Sequence, residues 1–232
     1  MKAIIFGSIG TVVETSELQR DAFNTAFEQY GLNWHWSQPE YQAMLRSSGG
    51  KNRITEFAKS RGQTVDAVGL HQTKSAIFQE SLRTSSIKPR SGVIQLFENA
   101  KARGMKIGFA TITESPTVSA ILTSFQLNHG ICFDVSTSHE NGFAAKPSSD
   151  VFDHVLKEFA CDPWDVIAIE DNFDGVKAAK AADIWTVGFA GANVSVDDLK
   201  HADLIALENI NDAIPTRLLS ARSSNFIPLR TA

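Results

Sequence analysis

The chain has 232 residues, of which 43% are hydrophobic, and its 26 acidic and 22 basic side chains give a formal net charge of −4. A chain of this length buries roughly 70% of the surface that its unfolded form exposes, enough for one large core and a small inserted subdomain. Lysine and arginine are scattered rather than gathered in a stripe, which excludes the electrostatic footprint of a nucleic-acid-binding protein. No stretch approaches the roughly 18 apolar residues of a membrane span, and Cys132 and Cys161 lack the spacing of a metal or disulfide site. We therefore expect a cytoplasmic protein that binds a small molecule.

Short apolar runs rich in Ile, Val and Phe recur along the chain, with amphipathic stretches of helical length between them. Runs that are apolar at successive positions predict strands covered on both faces. Their alternation with helices predicts an α/β fold built on a doubly wound parallel sheet. The predicted strands are residues 3–6, 106–111, 131–135, 166–170, 186–190 and 204–207.

The interval between the first two predicted strands is much longer than any later one, which predicts an inserted domain. The insertion has helical periodicity, and its first helix is predicted to begin at Ser16, with a capping box to Gln19, and to end at Gly31. Further cap helices are predicted at 38–46, 51–61 and 66–82. We divide the chain into a core, an inserted helical cap and a loosely held polar tail, which are residues 1–14 plus 89–219, 15–88 and 220–232.

Ligands of open parallel sheets bind beyond the carboxyl ends of the strands, so the residues that follow the strands are the candidates for a site. The first strand is followed by Gly-Ser-Ile-Gly-Thr, the second by Thr-Ile-Thr, and the third by a loop with a Lys-Pro pair. The fourth strand ends in Glu-Asp. The candidates are Gly7, Ser8, Ile9, Gly10, Thr11, Thr111, Ile112, Thr113, Lys146, Glu170 and Asp171.

The order and spacing of these segments resemble the haloacid dehalogenase (HAD) superfamily of phosphoryl-transfer enzymes. The closer likeness is to the CbbY-type sugar-phosphate phosphatases and their β-phosphoglucomutase relatives. Four segments carry it, namely ELQRDAFN at 17–24, GLNWHW at 31–36, GGKNRI at 49–54 and AIEDNFDGVKAAKAAD at 168–183.

The resemblance implies a first motif Asp-x-Asp-Gly-Thr, whose first aspartate attacks phosphorus and helps to hold Mg²⁺, and whose second is the general acid and base. Here these positions are Gly7 and Ile9. Glycine offers no nucleophile and isoleucine no proton, so the family mechanism is chemically impossible at this site. We expect no intact catalytic residue. Ser8 is not expected to replace the nucleophile, because no histidine lies beside it in the sequence.

The resemblance also implies a phosphate site at Gly10, Thr11, Thr111, Ile112 and Lys146. The lysine loses its usual carboxylate partner, so the pocket is predicted to favour a bound anion unless an acidic residue of the fourth strand takes over. The backbone N–H groups of residues 7–11 are predicted to add an anion-binding nest.

The resemblance assigns Glu170 and Asp171 to Mg²⁺. Only Asp171, the Ile9 carbonyl and waters would remain as ligands, so weak Mg²⁺ binding is expected. The alternative is that the acidic pair caps the helix that follows at Asp174 or Gly175.

In the cap, the resemblance assigns substrate contacts to Glu17, Gln19, Gly49, Gly50, Lys51, Arg53 and Lys74. Gln19 stands where the family has a histidine. Solvated charges on helices are the alternative for the three cations. The Trp34-His35-Trp36 cluster is predicted to pack the cap against the core rather than to stack on bases.

These observations favour a HAD-type homologue, a monomer or small homo-oligomer, that lacks phosphatase activity and binds a phosphorylated metabolite or another small anion. Two alternatives stay open. One is a regulatory or interaction module with a vestigial pocket, and the other is a residual phosphatase in which Asp171 and a metal ion orient water.

Overall fold

The computed structural model describes residues 1–45, 49–84 and 87–214. Six parallel strands form one sheet in the order β3-β2-β1-β4-β5-β6, so the predicted doubly wound parallel sheet is confirmed. The strands are β1 (Ala3–Phe6), β2 (Lys106–Phe109), β3 (Val135–Ser136), β4 (Val166–Glu170), β5 (Trp185–Phe189) and β6 (Leu204–Ala206).

Ten α-helices accompany the strands in the described part of the chain. They are α1 (Ile9–Val12), α2 (Ser16–Gln29), α3 (Gln38–Met44), α4 (Gly50–Ser60), α5 (Ala67–Thr84), α6 (Val93–Ala102), α7 (Ser115–His129), α8 (Asp150–Phe159), α9 (Phe173–Ala181) and α10 (Ile210–Ala213). None of them combines the length and hydrophobicity that crossing a membrane requires. The predicted tail, 220–232, lies outside the described residues.

The central strands are buried on both faces, which explains their unbroken apolar sequences. In β1, Ile4 and Phe6 belong to one apolar cluster and Ala3 and Ile5 to the other, because successive strand residues point to opposite sides of the sheet. Helices therefore cover both sides of the sheet, and polar groups are left at its carboxyl edge.

The prediction of a third strand at 131–135 is wrong, because β3 contains only Val135 and Ser136. Residues just before it close the preceding helix instead. Gly130 adopts a left-handed conformation with φ 65°, and the Ile131 amide donates to the Phe125 carbonyl at 3.3 Å. This is a common helix ending, and it uses the backbone that a longer strand would need.

Helices α2 to α5 lie between β1 and β2 and share an apolar cluster of their own, although Ala22, Phe78 and Leu82 belong to the core cluster. The division into core and cap stays a prediction. Trp34 and Trp36 belong to the cluster of the cap helices, so the expectation that they pack the cap against the core is wrong. The Asn24 side chain holds Trp36 in place, because its amide donates to the Trp36 carbonyl at 3.1 Å and its oxygen accepts from the Trp36 amide at 2.8 Å.

The predicted capping box at the start of α2 is also wrong. The Ser16 amide donates to Glu14 Oε1 at 3.0 Å, and Gln19 Nε2 donates to Thr15 Oγ1 at 3.3 Å. Since Glu14 supplies the acceptor for the Ser16 amide, the Gln19 oxygen is left for a partner elsewhere in the cap.

The two chain connections between core and cap run side by side. Val13 and Pro89 form an antiparallel bridge, and the Arg90 amide donates to the Val12 carbonyl at 2.9 Å. The Arg90 guanidinium donates to the carbonyls of Gly10 and Phe189 at 2.7 and 2.9 Å and to that of Ala190. One arginine thus fastens the cap connection to helix α1 and to the end of β5.

Candidate active site

The space beside Gly7 is filled by the carboxylate of Glu170. A Cβ atom at position 7 would collide with Glu170 Oε1, and one at Gly175 would collide with Glu170 Cδ. Glu170 itself is fully buried at the end of β4. Its carboxylate therefore lies between two glycines, in the space that a side chain at position 7 would need.

Lys146 pairs with this carboxylate. Lys146 Nζ lies 2.5 Å from Glu170 Oε1 and donates to the carbonyls of Ala110, at 3.1 Å, and Gly7. Burial raises the pKa of Glu170 to about 7, and the attraction of Lys146 opposes that rise. Of the two cases that the sequence left open for Lys146, the structure has the second, in which Glu170 takes the place of the missing carboxylate.

Residues 8–11 form a tight turn and the one-turn helix α1. Ile9 is buried in the core cluster, and its aliphatic side chain cannot act as an acid or a base. Thr11 Oγ1 donates to the Ser8 carbonyl at 2.6 Å, so this hydroxyl closes the turn with a hydrogen bond. The amides of Gly7 and Thr11 donate to the carbonyls of Ile169 and Ser8, so these two are not free for the anion-binding nest that the sequence predicted.

Asp171 faces this turn. Ser8 Oγ and Asn172 Nδ2 both donate to Asp171 Oδ1 at 2.7 Å, and a Cβ atom at Gly10 would collide with Asp171 Oδ2. Asn172 caps α9, since its side-chain oxygen accepts from the Gly175 amide at 2.9 Å. The alternative that the acidic pair caps this helix is therefore wrong.

Mg²⁺ prefers six oxygen ligands in near-octahedral geometry. Gly7 offers no carboxylate, Glu170 is engaged by Lys146, and one oxygen of Asp171 already accepts two hydrogen bonds. Among the described residues, no group of three or more acidic, histidine or cysteine side chains is arranged to hold a metal. The residues present do not fit Mg²⁺, and the expectation of weak binding stays a prediction.

The loop after β2 contributes hydroxyl groups to the same edge of the sheet. Thr111 is buried, its Oγ1 donates to Thr113 Oγ1 at 2.9 Å, and its amide donates to Thr137 Oγ1 at 2.8 Å. Ile112 follows as a half-buried residue. The structure thus places the predicted phosphate residues of the core at one edge of the sheet, where Lys146 pairs with the Glu170 carboxylate.

Lys74 is a buried cation of the cap. It lies on α5, is only 6% exposed, and donates from Nζ to Gln19 Oε1 at 3.1 Å. Its Nζ lies 4.8 and 4.7 Å from the ring centroids of Phe23 and Phe78. No carboxylate among the described residues forms an ion pair with it, and burial lowers its pKa to about 7. It is therefore not a solvated helix charge, which excludes that alternative for this residue.

Other charged groups surround Lys74 where the cap meets the loop after β2. His71 Nδ1 lies 3.9 Å from Glu114 Oε1, and burial lowers the pKa of His71. Arg53 stands over the Tyr41 ring at 5.4 Å, and Lys51 is exposed on α4. Gly49 and Gly50 form the start of α4, with Gly49 at φ 101°.

Asn193 fastens the cap to the core through Glu17 and its neighbours. Its Nδ2 donates to Ser16 Oγ and Glu17 Oε1, both at 2.8 Å, and its Oδ1 accepts from Gln38 and Gln42, both at 3.1 Å. The other Glu17 oxygen accepts from Arg20 Nη2 at 2.8 Å. Glu17, assigned to the substrate by the resemblance, is thus engaged by protein groups on both oxygens.

Asn193, His71, Glu114 and Arg90 were not among the residues predicted from the sequence. Asn193 carries a usable signal, because it follows β5 at the same sheet edge as the residues that were chosen. The other three acquire their role only through contacts between elements far apart in the chain.

A parallel sheet with a helical insertion after its first strand, and with a lysine and an acidic pair at its carboxyl edge, forms a capped α/β fold. Residues 4–189 match the family model of haloacid dehalogenase-like hydrolases, and the chain belongs to that family, as the sequence predicted. It is 31% identical over 207 residues to protein CbbY of Rhodobacter capsulatus, covering 88% of this chain and 91% of that protein.

Solved structures give the same result. Crystal structures of CbbY from Rhodobacter sphaeroides, one in complex with phosphate and one with xylulose-(1,5)bisphosphate, match with TM-scores of 0.79 and 0.78. Both are 31% identical in sequence, and the match covers 89% of this chain and 93% of theirs. The chain is thus similar in fold and sequence to a protein that was crystallised with a sugar phosphate.

Proposed function

We propose that this protein is a non-hydrolysing member of the haloacid dehalogenase family that binds a phosphorylated sugar between its cap and its core. The observation that carries the proposal is the position of the Glu170 carboxylate. It fills the space beside Gly7 and pairs with Lys146, so the site has a resident anion in place of a nucleophile.

The loss of hydrolysis is supported by the residues at the turn. A covalent phosphoryl intermediate needs a nucleophile, and protonation of the leaving group needs an acid. Gly7 and Ile9 supply neither, and Ser8 donates its hydroxyl to Asp171 with no histidine in the described contacts to accept a proton from it. Losing a nucleophile costs about 10⁶-fold in rate in other enzymes.

Ligand binding is supported by the cap. A lysine buried without a carboxylate is costly unless an anion pairs with it, because burial penalises the charged form. Lys74 is such a lysine, and it faces the loop that carries Thr111 and Glu114. A phosphate group from a ligand would supply the missing counter-charge.

The test combines binding and turnover. Fructose 6-phosphate is titrated calorimetrically into the wild type, and phosphate release is assayed with Mg²⁺ for the wild type and for Gly7→Asp with Ile9→Asp. We expect saturable binding and no release by the wild type, and release by the reverted variant once Glu170 has moved aside. Lys146→Ala is the control for a contaminating phosphatase. If the wild type and this variant release phosphate at the same rate, the release comes from a contaminant. If the wild type releases phosphate and Lys146→Ala does not, the proposal is overturned.

A second function is a regulatory or interaction module, which is favoured by the Glu170 carboxylate in the space beside Gly7. It predicts that no phosphate compound binds saturably, and it replaces the first proposal if the calorimetry shows no binding. A ligand at 100 times its dissociation constant stabilises the folded state by about 2.7 kcal/mol, so thermal unfolding gives an independent check.

A further inference from the structure

A short segment at the end of β5 is held by both of the chain connections that join the cap to the core. We call this segment, residues 189–193, the β5 loop. From the second connection, the Arg90 guanidinium donates to the Phe189 carbonyl at 2.9 Å. From the first connection, Glu14 Oε2 accepts from the Ala192 amide at 2.8 Å. The β5 loop is therefore attached to the points at which the chain enters and leaves the cap.

A glycine lets Glu14 come this close to the loop. A Cβ atom at Gly191 would lie 2.7 Å from Glu14 Oε2, closer than real side chains approach. The other Glu14 oxygen accepts from the Ser16 amide at the start of α2, at 3.0 Å. One carboxylate thus joins the β5 loop to the first cap helix.

Asn193 joins the end of the β5 loop to two cap helices, and it is only 3% exposed. Its Nδ2 donates to Ser16 and Glu17 of α2. Its Oδ1 accepts from Gln38 and Gln42 of α3. Both hydrogens of the amide and both lone pairs of its oxygen are therefore used. A rotation of the cap would break these bonds together and leave a buried amide unsatisfied, which is costly.

The polar contacts between cap and core on the other side of β1 are longer. There, α5 faces α7 and the loop before it. Gln79 Nε2 lies 3.5 Å from Thr117 Oγ1, and His71 Nδ1 lies 3.9 Å from Glu114 Oε1. Of these two attachments, the one at the β5 loop has the shorter hydrogen bonds.

We propose that the β5 loop is a latch that holds the cap in one orientation on the core, with the Asn193 side chain as its closing element. Separation of cap and core then requires all four hydrogen bonds of Asn193 to break. Asn193 is neutral, and three of its four partners are uncharged, so salt is expected to weaken the latch less than it weakens a surface ion pair. This inference concerns the orientation of the cap and does not depend on the proposed function.

The experiment measures the distance between spin labels on cap and core by pulsed electron paramagnetic resonance. The labels are attached at Lys59→Cys on α4 and Glu158→Cys on α8, which are both exposed. Cys132→Ser and Cys161→Ser remove the native thiols. With the latch residues unchanged, we expect a single cap–core distance at about 0.1 M and at about 1 M salt.

Asn193→Asp places a carboxylate against that of Glu17, and we expect it to raise the population at a second, longer distance at least tenfold. Adding Glu17→Gln exchanges donor and acceptor in this contact and is expected to restore the single distance. Gln42→Met removes two donations to the β5 loop and tests the latch from the cap side if Asn193→Asp lowers the folded fraction. Labels at Glu98→Cys and Glu158→Cys, both on the core, are expected to keep their distance in every variant.

Three results would overturn the latch. They are two cap–core distances with the latch residues unchanged, an unchanged distance in both Asn193→Asp and Gln42→Met, and a shift in Asn193→Asp that Glu17→Gln does not reverse. Asn128→Asp, at an exposed asparagine of α7, is the matched control and is expected to leave the distance unchanged. Circular dichroism checks that each variant is folded, so that a new distance reports on the orientation of the cap.

Discussion

Replacement of Lys146 by methionine removes the cation from a fully buried carboxylate, and its cost is expected to grow with pH. Glu170 can escape the unpaired charge by taking up a proton, and with a pKa of about 7 in the wild type this costs about 1.4 kcal/mol per pH unit above 7. The carbonyls of Gly7 and Ala110 also lose their donor, at about 1 kcal/mol each. We therefore expect a loss of about 2 kcal/mol at pH 7 and about 4–5 kcal/mol at pH 9, close to the range for broken buried ion pairs.

The assay is urea unfolding followed by circular dichroism at both pH values. Lys180→Met is the matched control, because it breaks a partly exposed pair with Asp203 and is expected to cost less than about 1 kcal/mol at either pH. Adding Glu170→Gln to Lys146→Met is expected to remove the pH-dependent part of the loss. A loss that is equal at pH 7 and pH 9, or no larger than that of the control, would refute the assignment of Glu170 as a buried, coupled carboxylate.

Three further predictions concern other parts of the site. Burial lowers the pKa of Lys74 to about 7, so between pH 7 and pH 10 the folded state binds fewer protons than the unfolded state. The free energy of unfolding is therefore expected to rise over this range more steeply in the wild type than in Lys74→Met. Equal slopes in calorimetric scans would contradict this. Asn193→Leu removes four cap contacts and is expected to raise amide hydrogen exchange at the start of α2 and in α3 at least tenfold, whereas Asn128→Leu on α7 is the silent control. Gly7→Ala forces the Glu170 carboxylate to move and is expected to destabilise the fold by about 1–3 kcal/mol, measured by chemical denaturation. The control is Gly62→Ala at an exposed glycine, where the loss of stability comes only from the backbone φ of 64°.

The sheet was predictable because a strand that is buried on both faces has an unbroken run of apolar residues. Strands β1 and β4 begin and end at the predicted residues. Every residue of both strands is buried, and all of them are apolar except Glu170, the last residue of β4. Strand β3 lies at the sheet edge, where pairing on one side only places little demand on the sequence, so its apolar run was assigned to the wrong residues.

The site was predictable in its members and not in its pairings. The rule that ligands bind at the carboxyl edge found Gly7, Lys146, Glu170 and Asp171 from the sequence. Which carboxylate turns toward Lys146 depends on the rotamer of each side chain and on the space left at Gly7. These are properties of packing between different elements, since Lys146 and Glu170 lie 24 residues apart and Gly7 and Lys146 lie 139 apart, and no local pattern encodes them.

The bridge between Val13 and Pro89 has a consequence for how the chain assembles. The insertion leaves and re-enters the core at adjacent points, so the core needs only to close one loop, whose entropic cost grows slowly with the number of inserted residues. The apolar cluster of the cap draws on the insertion alone, whereas the larger cluster on the strands also includes Ala22 of α2 and Phe78 and Leu82 of α5. A short turn in place of residues 15–88 would therefore keep the backbone connections of the sheet, but it would expose the apolar surface that α2 and α5 cover, so the core is expected to reach its full stability only with the cap in place.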